Sequence, residues 1–137
     1  MTEKIITING QQVIMCYCAA TENGYEQISE KSISVFVPTF GKDEEGNTVV
    51  TEPAKATIGD FVALGYAAIV AAYAKRKEQA PVSIEYILYE ATPEERNELL
   101  ETIVELRTEW YQLTKVVEDQ LKREEDGKEH EEESAKN

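Results

Sequence analysis

Ile5-Ile6-Thr7-Ile8-Asn9-Gly10-Gln11-Gln12-Val13-Ile14-Met15-Cys16 is the stretch that decides the fold. Asn-Gly is the pair that most readily takes the φ > 0 angles of a type I′ turn, and here it separates two runs rich in β-branched residues. The spacing predicts a β-hairpin with strands Ile5–Ile8 and Gln11–Tyr17. On the second strand Val13, Met15 and Tyr17 alternate with Ile14, Cys16 and Cys18. Both faces are therefore apolar, and helices must cover at least one of them.

Working outward, Thr21-Glu22-Asn23 starts a short helix ending near Lys31, with Tyr25 and Ile28 on one face. Ser32–Phe40 (SISVFVPTF) reads as a strand and Asn47–Thr51 as a second, joined by the polar loop Gly41–Gly46. Pro38 argues that the first of these lies at an edge or bends there, because proline cannot donate to a ladder. The loop carboxylates lack EF-hand spacing and flanking helices, so a solvated turn is expected. Thr57-Ile58-Gly59-Asp60 has the form of a capping box. The helix it opens, Ile58 to about Lys77, is apolar or small nearly all round (Phe61, Val62, Ala63, Leu64, Gly65, Ala67, Ala68, Ile69) and belongs at the centre of the fold. With Asp60 inside it and many weakly apolar alanines, it suits a core better than a membrane span.

A short helix follows at Ile84–Glu90, with Ile84, Ile87 and Leu88 read as facing inward. Thr92-Pro93-Glu94-Glu95 is then a strong start: N-cap threonine, proline at the first position, glutamate at the third. The final helix carries Leu99, Leu100, Ile103, Leu106, Trp110, Leu113 and Val117 at spacings of three and four, and is expected to reach about Arg123. The reading is α+β: an N-terminal β-hairpin, with a second hairpin able to join it in a small antiparallel sheet, packed on three to four helices. Residues 1–117 form one domain, and 118–137 an acidic tail expected to be disordered.

The 137 residues carry a formal charge of −13, of which −5 lies in 118–137 and −8 in the body. Such a surface repels phosphate backbones, so a nucleic-acid partner is not expected. Cys16 and Cys18, at i and i+2 of a strand, leave by the same face, a poor arrangement for a mutual disulfide. They read as reduced structural thiols, which suits the cytoplasm, and Met1-Thr2-Glu3-Lys4 does not begin a secretory leader. The one histidine, His130, sits in the tail, so neither a metal set nor a Ser–His–Asp or Cys–His arrangement is expected. Glu94, Glu98, Glu101, Glu105 and Glu109 fall on one side of the last helix, where Arg96 and Arg107 can pair with them, and read as a solvated charged face. The glycines are scattered and form no phosphate loop. No catalytic residues, metal or cofactor are assigned, and the chain reads as a non-enzymatic protein acting by contact.

The contact residues expected are Trp110, Tyr111, Leu113, Val116 and Val117, where the last helix should outrun its own domain. A Trp beside a Tyr is a common interface anchor. The alternative for Trp110 is that it caps the core. Self-association is a second use of the same surface.

The order of parts adds a resemblance. Ile6-Thr7-Ile8-Asn9-Gly10-Gln11-Gln12-Val13, followed by Cys18-Ala19-Ala20-Thr21-Glu22-Asn23-Gly24-Tyr25-Glu26-Gln27-Ile28, resembles the start of tail assembly chaperones of long-tailed, siphovirus-like phages and prophages. The Ala-rich Phe61–Ile69 helix, a short helix like Val82–Leu88 and a longer one like Glu94–Trp110 follow in the order of that family. The Ser32–Thr57 segment is longer than the family layout. The resemblance implies a cytoplasmic helper that binds the tape-measure protein and recruits tail-tube subunits, often with a longer frameshifted form. Two other classes stay open: an acidic inhibitor that mimics nucleic acid, and a structural virion or connector subunit.

Overall fold

The computed structural model is α+β and describes the backbone of residues 2–135, with the side chains of 2–113 and 119–121. In chain order the elements are β1 (Glu3–Ile8), β2 (Gln11–Cys16), α1 (Ala19–Ser29), a 3-10 turn (Ile33–Phe36), β3 (Thr39–Lys42), β4 (Thr48–Glu52), α2 (Ile58–Lys75), α3 (Ile84–Tyr89) and α4 (Pro93–Ala135).

β1 and β2 pair antiparallel with Ile8 opposite Gln11 and Glu3 opposite Cys16. Asn9 (φ 53°) and Gly10 (φ 73°) make the turn in the left-handed region, which asparagine and glycine tolerate best. Strand alternation sends Ile6, Ile8, Val13 and Met15 into the core, while Ile5 faces solvent. Both outer edges of this hairpin are covered. The Thr7 and Asn9 N–H groups donate to Glu98 Oε1 (3.4 Å) and Glu95 Oε2 (2.7 Å) of α4, and the Ile14 N–H donates to Tyr73 Oη of α2 (3.2 Å). Lys4 bridges to Glu105 (3.1 Å) and Glu109 (3.0 Å). The face read as purely solvated therefore reaches back to β1, a use that helical spacing alone does not reveal.

α2 is the central element. Val62, Leu64, Ala67, Ala68, Ile69 and Ala72 are buried around it, against α1, β2 and α4. By length and composition alone it would also pass as a membrane span, but more than half of it is buried inside the protein. At Gly65 an added Cβ would come within 3.0 Å of Leu99, so the absence of a side chain lets α4 cross closely. The Thr57 capping box forms: the Asp60 N–H donates to Thr57 Oγ1 (3.2 Å) and the Thr57 N–H to Asp60 Oδ2 (2.9 Å). Asp60 is nearly fully buried and also accepts from Tyr25 Oη of α1 (3.0 Å) and from Lys31 Nζ (3.1 Å). Burial alone would push its carboxyl up; the hydrogen bonds from Thr57, Lys31 and Tyr25 outweigh that and hold it below the ordinary value.

Three expectations need correction. Ser32–Phe40 is not one strand. The Ser34 N–H donates to Ser32 Oγ (3.2 Å), a local capture that winds Ile33–Phe36 into a 3-10 turn. Phe36 is then buried edge-on between Tyr25 (4.9 Å) and Phe61 (5.0 Å), and the strand begins only at Thr39. The second hairpin does form, but β3–β4 is a separate two-stranded sheet that does not join β1–β2. On α3, Ile87 is buried and Ile84 half-buried, whereas Leu88 points to solvent because one short helix offers the core only a narrow face.

The backbone of α4 continues for 43 residues to Ala135, about 65 Å at 1.5 Å per residue, past the end near Arg123 read from the apolar spacing. Glu, Lys, Arg, Gln and Ala are strong helix formers, and that preference needs no apolar stripe. The expectation of a tail without order from 118 falls mostly on side chains outside those described.

Candidate interaction surface

Two flanks of α4 meet at residues 106–113, because each residue advances the helix by about 100°. Trp110 and Leu113 lie on the flank that carries Leu106. The Trp110 ring is half-buried, 6.2 Å from that of Tyr17, and Leu113 shares with Thr2, Tyr17 and Trp110 a dimple too small to hold a water. Trp110 thus packs at the end of the core, the alternative weighed for it above. Leu113 remains 48% exposed beyond it.

Tyr111 lies about 200° around from Leu113 and faces a different neighbour. It is 41% exposed and lines an open cleft of about 500 Å³ with Arg107, Thr108 and Gln112 of α4 and Phe36, Val37, Pro38 and Phe40 of the 3-10 turn and β3. The structure therefore brings Tyr111 to an open cleft and separates it from Trp110 and Leu113. Val116 and Val117 lie outside the described side chains.

The wall opposite α4 is the base of the second hairpin. Its loop is closed by the Asp43 N–H donating to the Asn47 carbonyl (3.0 Å), with Gly46 at φ 84°. Counting back from that bonded pair, Phe40 and Val50 stand opposite each other with side chains on one face. They are 56% and 55% exposed, and every residue of β4 is exposed. At the foot of the hairpin, the Lys55 N–H donates to the Val35 carbonyl (3.0 Å), fixing the arm to the 3-10 turn.

Electrostatics hold the α4 side in place. Tyr111 Oη and Tyr17 Oη each donate to Glu22 Oε2 at 2.8 Å, so one carboxylate oxygen of α1 ties both phenols. Burial pushes the Tyr111 phenol up and Glu22 adds to this, while Arg107 opposes it. The Tyr17 phenol is raised further, again chiefly by burial. Both rings are therefore donors, not phenolates. Arg107 lies over two aromatic faces, its Cζ 4.9 Å from the Tyr111 centroid and 5.6 Å from that of Phe36. It does not pair along α4 as its sequence spacing suggested; among the described residues no carboxylate lies within ion-pair distance of it.

Sequence reasoning missed Phe36, Val37, Pro38, Phe40 and Arg107. The signal available was Pro38, which marked this segment as an edge or a bend, but nothing local brings it to a helix some seventy residues later. Among the described residues no group of three or more His, Cys, Asp or Glu is placed to hold a metal ion. Cys16 and Cys18 are free, and burial pushes the Cys16 thiol up to about 11. Compared with protein-family models, curated proteins and solved structures, the chain shows no match.

Proposed function

We propose that this chain is a non-enzymatic phage tail assembly chaperone that binds the tape-measure protein and recruits tail-tube subunits in the host cytoplasm. The part of this reading that says "contact" is carried by one observation, the open cleft between Tyr111 of α4 and the exposed Val37–Phe40 segment. An apolar surface kept open on a chain of charge −13 suits a protein that shields another's apolar stripe while keeping the complex dispersed. The part that says "phage tail" is supported by the resemblance of the Asn9-Gly10 hairpin, the Ala-rich α2, the short α3 and the long α4 to that family's layout.

The test is a pull-down from phage-infected or prophage-induced cells with the full chain as bait, read by mass spectrometry. Capture of a very long helical protein together with a tail-tube subunit, reduced by Phe40→Asp or Tyr111→Ser, is the expected result. Capture of a single host nuclease or polymerase overturns it and favours a nucleic-acid mimic. Finding the chain in purified particles favours a structural virion subunit.

A further inference from the structure

Arg107 is the unusual group in the cleft. A guanidinium carries five N–H donors. Here one of them meets the Phe36 carbonyl at a long 3.5 Å, and Nε is buried with no hydrogen-bond partner among the described residues. Two aromatic rings hold the side chain in position, and no carboxylate among the described residues lies within ion-pair distance of it; Glu22 is reached only through the Tyr111 hydroxyl. This occurs in a chain with 27 acidic residues against 14 basic ones, yet Glu22, on the far side of the Tyr111 hydroxyl, is bonded by the two phenols and forms no ion pair with the guanidinium.

We infer that the Arg107 cleft is a docking site for a segment of another protein that presents an apolar side chain next to an Asp or Glu carboxylate. The apolar side chain packs on Val37, Pro38, Phe40 and the Tyr111 ring, and the carboxylate takes the N–H groups of Arg107. Charge complementarity selects this occupant. Arginine fits a planar carboxylate in a two-point grip, and the flanking rings hold it ready at little entropic cost. A basic segment would instead set its charge against Arg107. The chain's overall charge acts the other way at long range, so the segment belongs to a partner that is not itself strongly acidic. The inference goes beyond the chaperone reading and does not depend on which protein supplies the segment.

The experiment is selection of random twelve-residue peptides by mRNA display against the full chain, followed by affinity measurement on the enriched peptides. Expected is a motif with an acidic position beside an apolar one. Changing that acid to its amide, or Arg107→Met, should each weaken binding by about tenfold or more, the scale of a hydrogen bond to a charged group. Thr108→Glu, an exposed change on the cleft rim, should weaken it as well and guards against misfolding of the Arg107 variant. A basic or acid-free motif, no enrichment, or equal binding by the Arg107→Met and parent chains each overturns the inference. Failure to capture a tape-measure protein would leave it standing, and an acid-free motif would leave the chaperone reading standing.

Discussion

The two hairpins share a plan and differ in almost everything that follows from it. Each is a pair of short antiparallel strands closed by a turn that uses φ > 0. β1–β2 buries one face under α2 and α4, and its outer edges are bonded by Glu95, Glu98 and Tyr73. β3–β4 exposes Phe40, Val49 and Val50, and every residue of β4 is open to solvent. An isolated two-stranded hairpin is marginal in water, and uncovered edges invite pairing. The lesson is that strand propensity made both hairpins, whereas burial made only one of them scaffold. The other remains an arm that borders the Arg107 cleft.

That contrast can be broken at several points. Truncating the covered hairpin should have the largest effect: Ile6→Ala should cost about 3 kcal/mol in urea unfolding, while Val50→Ala should stay within about 0.5 kcal/mol. Equal losses would show the arm to be part of the core. Next come the turns. Gly10→Ala should cost about 1–2 kcal/mol of global stability, since an L side chain is strained at that positive φ. Gly46→Ala, at a similar φ, should leave global stability unchanged and speed amide exchange only in the arm.

A smaller contrast concerns acid. The Asp60 carboxyl is held below its ordinary 3.8, so its contribution is complete above that pH and is lost as pH falls through the lower folded value. Asp60→Asn should flatten the acid limb of the stability curve, and exchange in the arm should not follow that limb. Smallest is the edge itself: Glu98→Gln should be visible as faster exchange of the Thr7 amide and not in global unfolding.

What the sequence made legible were features with local causes. Asn9-Gly10, the Thr57–Asp60 box and the Thr92–Glu95 start all appear where their residues place them, because turns and caps depend on chemistry within four positions. The Thr92 start even closes reciprocally, with the Glu95 N–H donating to Thr92 Oγ1 (3.2 Å) and the Thr92 N–H to Glu95 Oε1 (3.1 Å). The segment at Ser32–Phe40 misled, since its alternation fits a strand equally well until Phe36 finds Tyr25 and Phe61. For the candidate surface, an exposed Tyr111 was readable from helix length. Its true neighbours were not, because Phe36 and Arg107 are 71 positions apart.

The ties between β1 and α4 also have a consequence in time. Asn9 bonds to a residue 86 positions later and Lys4 to one 101 positions later, so the first hairpin waits for the last helix to be made. At about 5–20 residues per second the delay is roughly 5–20 s. Throughout it the open edge of β1 sits on a growing chain, where several copies on one message can find each other. α4 is then a latch as well as a platform. A product cut short before Thr92 should associate through β1, and synthesis with a pause ahead of α4 should lower soluble yield although the finished sequence is unchanged.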